Sequence, residues 1–476
     1  MRYSKVHKYT IAEYLYQFAF LFLIPIIQQL LFQPRSIIEI ISTMGVNIAF
    51  VIILILWCVQ EYKRLGYHAG EKYFYVKRGV FFHRRSEIPY DCIQSVQIKQ
   101  GVISYFFGAT KLSLDTPAGR KKDSDINLTL SHKVLNSTLE NIIPNKDTRN
   151  VYRSGTIRIL LMSSSWANPA TGFLLLAPFI NRIGIVLGEE ITDRLYSTMD
   201  LSLYLVAIGV PPIAAVVTYL LIFGWLIAMI VQLFRYSNFK VACTEDTLTI
   251  SRGLLAYHKR IIKKSKINAI AVKQTLFMRS FKLYSAYVQT IGSGKESGDK
   301  SMLVAAARYH EMQDSLSNLV KLPIKNDNSI VPPRRAVKSF ILLPLTLILA
   351  ALLISIIMMI SNVYNNVYNK VIGTMLLFSV IFITWWFFLR LVAHRTSGLS
   401  LLEEHIVVSG YNKLSLVSAT VDLEKIQAIS IYQNPFQRFN GLCKVRVYVF
   451  SETNEFFTVK NLELKEVKNL VRDVKI

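Results

Sequence analysis

The sequence predicts a membrane protein of mixed α and β structure, in which three transmembrane helical hairpins are each followed by a small β-barrel or sandwich with a C-terminal helix. Three observations predict this fold class. The chain of 476 residues is 52% hydrophobic and carries a formal net charge of +24. Long apolar stretches without charge occur in pairs. Between and after these pairs one short alternating pattern occurs three times, so we expect one unit to be repeated.

Six stretches are long enough to cross the hydrocarbon core, which takes ~20 apolar residues as a helix. They are Tyr14–Pro34, Ile40–Gln60, Ile159–Asn181, Leu201–Phe234, Ser339–Asn369 and Val371–Leu389. Only the second half of Ile159–Asn181 is fully apolar. Pro211 and Pro212 should break the fourth stretch, so we place that span mainly at Pro212–Phe234. The first stretch is long for a signal peptide and lacks an A-x-A-like exit, so we expect a retained anchor.

Taken together, the short links inside the pairs of spans carry almost no net charge. They are Arg35–Glu39, Arg182–Asp200 and a turn near Ser361–Lys370. Nearly all other Lys and Arg residues fall on the opposite side, and cytoplasmic loops carry the excess of these residues in membrane proteins. We therefore expect the N-terminus and all three large segments in the cytoplasm of a multi-pass membrane protein. In a soluble protein this positive charge would favour nucleic acid as a partner, but the apolar content favours the membrane.

The repeated pattern predicts strands. It reads CIQSVQIKQ at Cys92–Gln100, KINAIAVKQ at Lys266–Gln274 and KIQAISIYQ at Lys425–Gln433. Apolar residues two positions apart share one face of a strand, and this alternation is typical of a half-buried strand. Each segment ends in a helical pattern, which is clearest from Leu462 onward, where apolar residues recur at helical spacing.

Several residues recur at the same positions of the repeat. The alignment without gaps begins at Ile88, Ile262 and Val421 and includes Val96, Ile270 and Ile429. It includes the glutamines Gln100, Gln274 and Gln433 and continues to Leu114, Val288 and Val447, with glycines at Gly79, Gly253, Gly108 and Gly441. The second repeat has Lys282 at the downstream glycine position, and Gly410 of the third is shifted by two residues. We expect the glutamines to bond backbone groups left unpaired where the strand exits.

These observations predict six segments. The hairpins are 1–60, 151–235 and 326–392, and the domains that follow them are 61–150, 236–325 and 393–476. Each soluble domain is long enough to bury a core of its own.

The first repeat carries a family resemblance. Its sequences IPYDCIQSVQIKQ (88–100) and FFGATKLSL (106–114) resemble the bacterial PH-domain family, and the whole arrangement is similar to the YdbT-like group of bacterial membrane proteins. The second repeat departs from the motif at Lys263 and Lys282, and the third at Asp422. The resemblance implies a partly open β-barrel closed by a helix, with no enzymatic activity and no cofactor. It also implies a role in envelope maintenance or stress defence, beside a smaller PH-domain membrane protein.

Clusters of basic residues are the candidate headgroup sites. They are Lys77, Arg78, Arg84, Arg85, Arg120, Lys121 and Lys122 in the first domain and Lys259, Arg260, Lys263, Lys264 and Lys266 in the second. Each basic residue near an anionic leaflet adds roughly 1 kcal/mol of attraction. Solvated surface charge that only sets the topology is the alternative interpretation. The third domain has an acidic loop at Ser451–Glu455, which favours packing or a protein partner.

Other chemistry has little support in the sequence. Cys58, Cys92, Cys243 and Cys443 lie far apart, which predicts isolated thiols without disulfides or zinc. GSGKESG at Gly292–Gly298 lacks the phosphate-loop pattern. We therefore favour a protein without enzymatic activity whose domains bind lipid headgroups or a partner protein. A lipid or peptide transporter or flippase is the alternative, although the spans lack the ionisable groups of such carriers, and an enzyme of lipid metabolism is the least favoured interpretation.

Overall fold

The computed structural model describes residues 3–18, 37–116, 126–142, 149–167, 212–290, 301–320, 329–360, 367–402, 404–450 and 456–473. The predicted spans Tyr14–Pro34 and Ile159–Asn181 lie largely outside them.

The helices of the three repeats share one order: a helical pair, a short helix after the glutamine, and a longer helix at the end. In the first repeat they are α1 (Thr10–Gln17), α2 (Ile37–Arg64), α3 (Val102–Phe106) and α4 (His132–Ile142). In the second they are α5 (Thr156–Trp166), α6 (Pro212–Tyr236), α7 (Leu276–Ser280) and α8 (Tyr309–Leu319). In the third they are α9 (Val337–Ile360), α10 (Val367–Thr396), α11 (Pro435–Phe439) and α12 (Leu464–Asp473).

The strands form two antiparallel groups in each repeat, one before and one after the start of the repeated motif. The first repeat has β1 (Ser4–Lys5), β2 (Gly66–Ala69), β3 (Tyr73–Arg78), β4 (Arg84–Pro89), β5 (Ser95–Gln100), β6 (Ala109–Asp115) and β7 (Ile126–Ser131). The second has β8 (Arg149–Arg153), β9 (Lys240–Cys243), β10 (Thr247–Arg252), β11 (Tyr257–Lys263), β12 (Ile267–Thr275), β13 (Tyr284–Thr290) and β14 (Ser301–Ala307). The third has β15 (Gly398–Leu401), β16 (His405–Asn412), β17 (Ser415–Asp422), β18 (Ile426–Tyr432), β19 (Leu442–Val449) and β20 (Phe456–Glu463).

Two of the sheets are shared between neighbouring repeats. One has the order β7-β6-β5-β11-β10-β9-β8 and the other the order β14-β13-β12-β17-β16-β15. The remaining sheets are β1-β2-β3-β4 at one end of the chain and β18-β19-β20 at the other. The alternating pattern predicts strands within each repeat, but it does not predict this pairing, because any half-buried edge strand can pair with a neighbour.

Both junctions between repeats have the same register. Ile262 on β11 lies opposite Ser95 on β5. Val421 on β17, the counterpart of Ile262, lies opposite Ala269 on β12, the counterpart of Ser95. One geometric relation therefore connects the first repeat to the second and the second to the third.

Each repeat still has its own apolar core. The first core includes Phe74, Leu112 and Leu128, the second Phe239 and Met278, and the third Val445 and Leu462. Neighbouring repeats contribute single residues across the junctions, Ile261 to the first core and Ala269 to the third. Amphipathic terminal helices cover these cores, since Leu135, Leu316 and Val467 are all buried.

A short strand before each helical pair joins the sheet that follows the pair. β1 pairs with β2, β8 pairs with β9, and Ile330 forms an isolated bridge with Leu399. The predicted division begins each soluble domain only after its helical pair, whereas this pairing adds the preceding strand to the same sheet. The two ends of each helical pair therefore lie side by side at the sheet.

The described residues include only parts of the predicted membrane hairpins. Within the described ranges, Arg334–Met358 is the one helix long and apolar enough to cross a membrane by length and composition, and Leu221–Tyr236 is a shorter apolar helix. α9 packs along α10, but many of its large apolar side chains remain exposed, among them Leu342 and Leu353. Three transmembrane hairpins stay a prediction.

Candidate membrane-contact site

Each repeat projects an apolar hairpin tip from its first group of strands. Phe81 and Phe82 form the tip between β3 and β4, with 74% and 86% of their surface exposed. Leu254 and Leu255 form the tip between β10 and β11, and Leu414 lies at the tip between β16 and β17; all three are exposed. A large exposed apolar side chain at the same place in all three repeats indicates a contact surface.

Glycine is required at the first two tips. Gly79 and Gly253 have φ of 107° and 105°. A Cβ would lie 2.0 Å from the carbonyl oxygen of Phe82 in the first case and 1.8 Å from that of Ala256 in the second. Only glycine tolerates this left-handed backbone together with such a close approach.

The shifted glycine of the third repeat has a different function. A Cβ on Gly410 would lie 2.2 Å from the carbonyl oxygen of Thr458, so Gly410 allows β16 to pack closely on β20. The left-handed residue of this hairpin is Lys413, with φ of 53°.

The tips lie beside the helices of their own repeats. The ring of Phe81 is 5.4 Å from that of Trp57 on α2, centroid to centroid. The N–H groups of Gly253 and Leu254 donate to the carbonyls of Ser237 and Phe234, at 2.7 and 3.1 Å. The first and second tips are thereby held next to the C-terminal part of an apolar helix.

A second apolar projection follows each repeated glutamine. The short helices α3, α7 and α11, with the residue that follows α3 and the one that follows α7, expose large side chains, namely Ile103, Tyr105, Phe106, Phe107, Phe281, Phe436 and Phe439. Two of these projections contact a helical pair or the residue next to it. The ring of Phe107 stacks on Tyr9 at 5.5 Å, and Thr275, at the start of α7, hydrogen-bonds Ser165 on α5.

The glutamines close the loop that carries each short helix. The side-chain amides of Gln100, Gln274 and Gln433 donate to the carbonyls of Ala109, Leu283 and Leu442, at 3.4, 3.1 and 2.7 Å. The residue after each short helix is left-handed: Gly108, Lys282 and Gly441 have φ of 62°, 53° and 63°. Lys282 thus retains the backbone conformation of the glycine that it replaces.

Comparison with known proteins agrees with this threefold architecture. The model of the family described as "Bacterial PH domain" matches residues 19–143, 185–320 and 337–475. The chain belongs to the bacterial PH domain family. The predicted resemblance is therefore confirmed, and each match includes the strands of one repeat that follow its helical pair.

One curated relative of the bacterial PH repeats is the UPF0699 transmembrane protein YdbT of Bacillus subtilis (strain 168). It is 23% identical over 322 residues, which cover 61% of this chain and 64% of the relative. The similar region therefore spans less than two thirds of that relative.

The first PH repeat gathers four of the predicted basic residues around its tip. Lys77 lies opposite Arg85, and Arg78 lies opposite Arg84, on the two strands of the hairpin. The three arginines are exposed and Lys77 is half-buried. Arg120, Lys121 and Lys122 lie outside the described residues.

The second PH repeat disperses its predicted cluster along β11. Lys259 lies near the tip, opposite Ser251. Lys263 is four residues further on, about 13 Å along the strand, and Lys264 and Lys266 follow in the turn after it. A compact cluster of five residues is therefore not what the structure shows, because an extended strand separates residues that are close in sequence.

Two members of that cluster face the junction between repeats. Arg260 is 9% exposed; its guanidinium lies 3.8 Å from the Asp115 carboxylate and donates to the Ser95 hydroxyl at 3.3 Å. The Lys263 ammonium donates to the carbonyl of Tyr90 at 2.9 Å. These two contacts hold the first and second repeats together, so both side chains are engaged at the junction rather than free for a headgroup.

A cavity of about 260 Å³ lies at the junction of the second and third repeats. Arg279 and Arg395 are its basic lining residues, with Tyr309 and the paired hydroxyls of Ser409 and Ser418 nearby. Two guanidinium groups beside hydroxyls could hold an anionic group.

The exposed aromatic residues are not among the residues predicted from the sequence. The alignment places Ile103, Phe277 and Phe436 at one position of the repeat, and large apolar residues next to the tip glycines recur in the same way. Large apolar residues that recur at a predicted turn of each repeat were the sequence pattern that could have identified this surface.

Metal and thiol chemistry find no support in the described part of the chain. It contains no group of three or more His, Cys, Asp or Glu residues able to hold a metal ion. Cys92 is exposed, whereas Cys58, Cys243 and Cys443 are buried and all four are free. Burial raises the pKa of the Cys443 thiol to about 11.

Proposed function

We propose that this protein is a multi-pass protein of the bacterial cell membrane whose three PH repeats lie against the anionic cytoplasmic leaflet, without enzymatic activity. The hairpin tips insert among the lipid headgroups, and the flanking basic residues bind the headgroups electrostatically. The observation that carries this proposal is the exposed apolar tip in every repeat, which lies beside an apolar helix in the first two.

The energies of such contacts favour this arrangement. Full burial of a phenylalanine side chain yields roughly 1.5–3 kcal/mol, and each nearby basic residue adds about 1 kcal/mol at an anionic surface. Because the helices already hold the repeats at the membrane, these contacts need only orient them. The exposed apolar faces of α9 and the transmembrane designation of the Bacillus subtilis relative support the membrane assignment. A role in envelope maintenance or stress defence stays a prediction.

The test compares the full chain in nanodiscs of zwitterionic lipid with nanodiscs that also contain anionic lipid. Hydrogen exchange of the backbone amides is measured at the tips, 79–83 and 253–256. We expect slower exchange at both tips in anionic discs, because the headgroups hold the hairpins in the interface.

The variant Lys77→Gln with Arg78→Gln should lose most of this anionic-lipid effect at the first tip and leave the second tip unchanged. Lys72→Gln is the matched control, since Lys72 is exposed at the opposite end of β3 and its neutralisation should change neither tip. Equal exchange at the tips in both kinds of disc would refute the proposal.

A further inference from the structure

The first and third repeats each leave one junction strand unpaired within the described residues. β4 is the last strand of its sheet and pairs there with β3, and β18 is the last strand of its sheet and pairs there with β19. In the alignment, β4 is the counterpart of β11 and β17, and β18 is the counterpart of β5 and β12. Among the described strands, one half of the internal junction is therefore unused in the first repeat and the other half in the third.

We propose that these two edges pair with each other between copies of this chain, so that β4 of one copy adds to β18 of the next. Edge strands with free N–H and C=O groups pair readily with a complementary edge. The two ends present the same pair of strand types that already pair twice inside the chain.

The two internal junctions predict the register. Ile262 lies opposite Ser95 at the first junction, and Val421 lies opposite Ala269 at the second. In the free edges these positions are Ile88 and Ala428. Antiparallel pairing then sets Ser86 opposite Ser430 and Arg84 opposite Tyr432.

Residues that are buried at the internal junctions have exposed counterparts on the free edges, because those edges lack a partner strand among the described residues. Ser95 and Ala269 are 1% and 0% exposed at the internal junctions, whereas their counterpart Ala428 is exposed. Ile261 and Thr420 are 7% and 4% exposed, whereas their counterpart Glu87 is exposed. Both free edges thus expose surface that the internal junctions bury.

Proline does not obstruct this pairing. Pro89 lacks an N–H group and would weaken a ladder that included it. Its counterparts Lys263 and Asp422 lie one residue beyond the last pair of each internal junction. The missing donor therefore falls outside the predicted ladder.

The contact joins different surfaces of the two copies, so it produces a closed ring or an open row of chains. The same relation that keeps the three helical pairs together within one chain would place the helices of the next chain in the same membrane.

Disulfide crosslinking of the full chain in its native membranes tests the register. The background is Cys92→Ser, which removes the exposed thiol. Ser86→Cys is introduced in one tagged copy and Ser430→Cys in a second copy with a different tag, and both are expressed together. We expect an oxidant to produce a crosslinked species that carries both tags.

Two controls accompany this experiment. Ala271→Cys with Ala419→Cys in one chain occupies the corresponding internal pair and should crosslink within the chain. Ser86→Cys with Ile431→Cys is shifted by one residue, which turns one thiol to the other face of the sheet, and should not crosslink.

Native mass spectrometry of the detergent-extracted chain gives an independent readout. Multiples of the chain mass are expected. A monomer alone, or crosslinking of Ser86→Cys and Ser430→Cys only to a different protein, would overturn the proposal.

Discussion

The buried ion pair at the first junction gives the sharpest test of the shared sheets. Asp115 is fully buried and accepts hydrogen bonds from the Ser95 hydroxyl at 2.6 Å and the Gln97 amide at 2.8 Å. The Arg260 guanidinium reaches it from the next repeat, at 3.8 Å. Asp115→Asn keeps the shape of the side chain but leaves the Arg260 charge uncompensated.

Removing one partner of a buried pair typically costs about 3–5 kcal/mol. Since asparagine retains one acceptor oxygen, we expect the lower end of that range. This corresponds to a fall of roughly 6–12 °C in the melting temperature, at about 2–4 °C per kcal/mol for a folding unit of about 150–250 residues. Thermal unfolding of the full chain in detergent, followed by tryptophan fluorescence, measures the fall.

The double variant Asp115→Asn with Arg260→Met should lose less stability than the two single variants summed, by at least ~1 kcal/mol, because residues in contact are coupled. Neutralising the exposed pair of Arg335 and Glu463, which is 2.9 Å apart, is the control and should change stability by less than ~1 kcal/mol. Strict additivity of the two junction variants would refute the contact between repeats.

Three further predictions concern stability and are measured by the same thermal assay. Gly253→Ala should destabilise by about 1–3 kcal/mol, because its Cβ would lie 1.8 Å from a carbonyl oxygen. The control Gly155→Ala, with no atom within 4 Å of its Cβ, should be nearly neutral. Equal effects of the two variants on stability would contradict the prediction. Lys282→Gly should stabilise by up to ~1 kcal/mol, because it relieves a left-handed conformation, and a clear loss would contradict that reasoning. The Arg158 guanidinium lowers the pKa of Glu311 by donating hydrogen bonds to it. The ion pair therefore stabilises the fold above the unfolded pKa of about 4.3, and this contribution is lost as pH falls through the lower folded pKa. Glu311→Gln should flatten the pH dependence of stability, and an unchanged acid profile would contradict the prediction.

The sequence predicts the repeated units well and their pairing poorly. Alternation around Val96, Ile270 and Ile429 predicts strands, and the family resemblance predicts the PH fold. The pairing of β11 with β5 could not be predicted, because each repeat carries all the strands of its own core. Only the positions in space show which edges meet.

The candidate site was predicted in the same partial way. Charge alone identified Arg78 and Arg84, which the structure brings together on one hairpin. It also selected Arg260 and Lys263, since a charge run does not reveal which side chains face a neighbouring repeat. The exposed phenylalanines were missed, because apolar residues in a sequence are first assigned to a core.

The depth of the hairpin tips in the bilayer tests the central claim most directly. A bimane label on Phe82→Cys, in the Cys92→Ser background, reports contact with lipids that carry a shallow nitroxide quencher. We predict strong quenching at this position in reconstituted membranes and none at Glu71→Cys, which lies at the opposite end of β3. Absence of quenching at the Phe82 position, or equal quenching at both positions, would contradict the account.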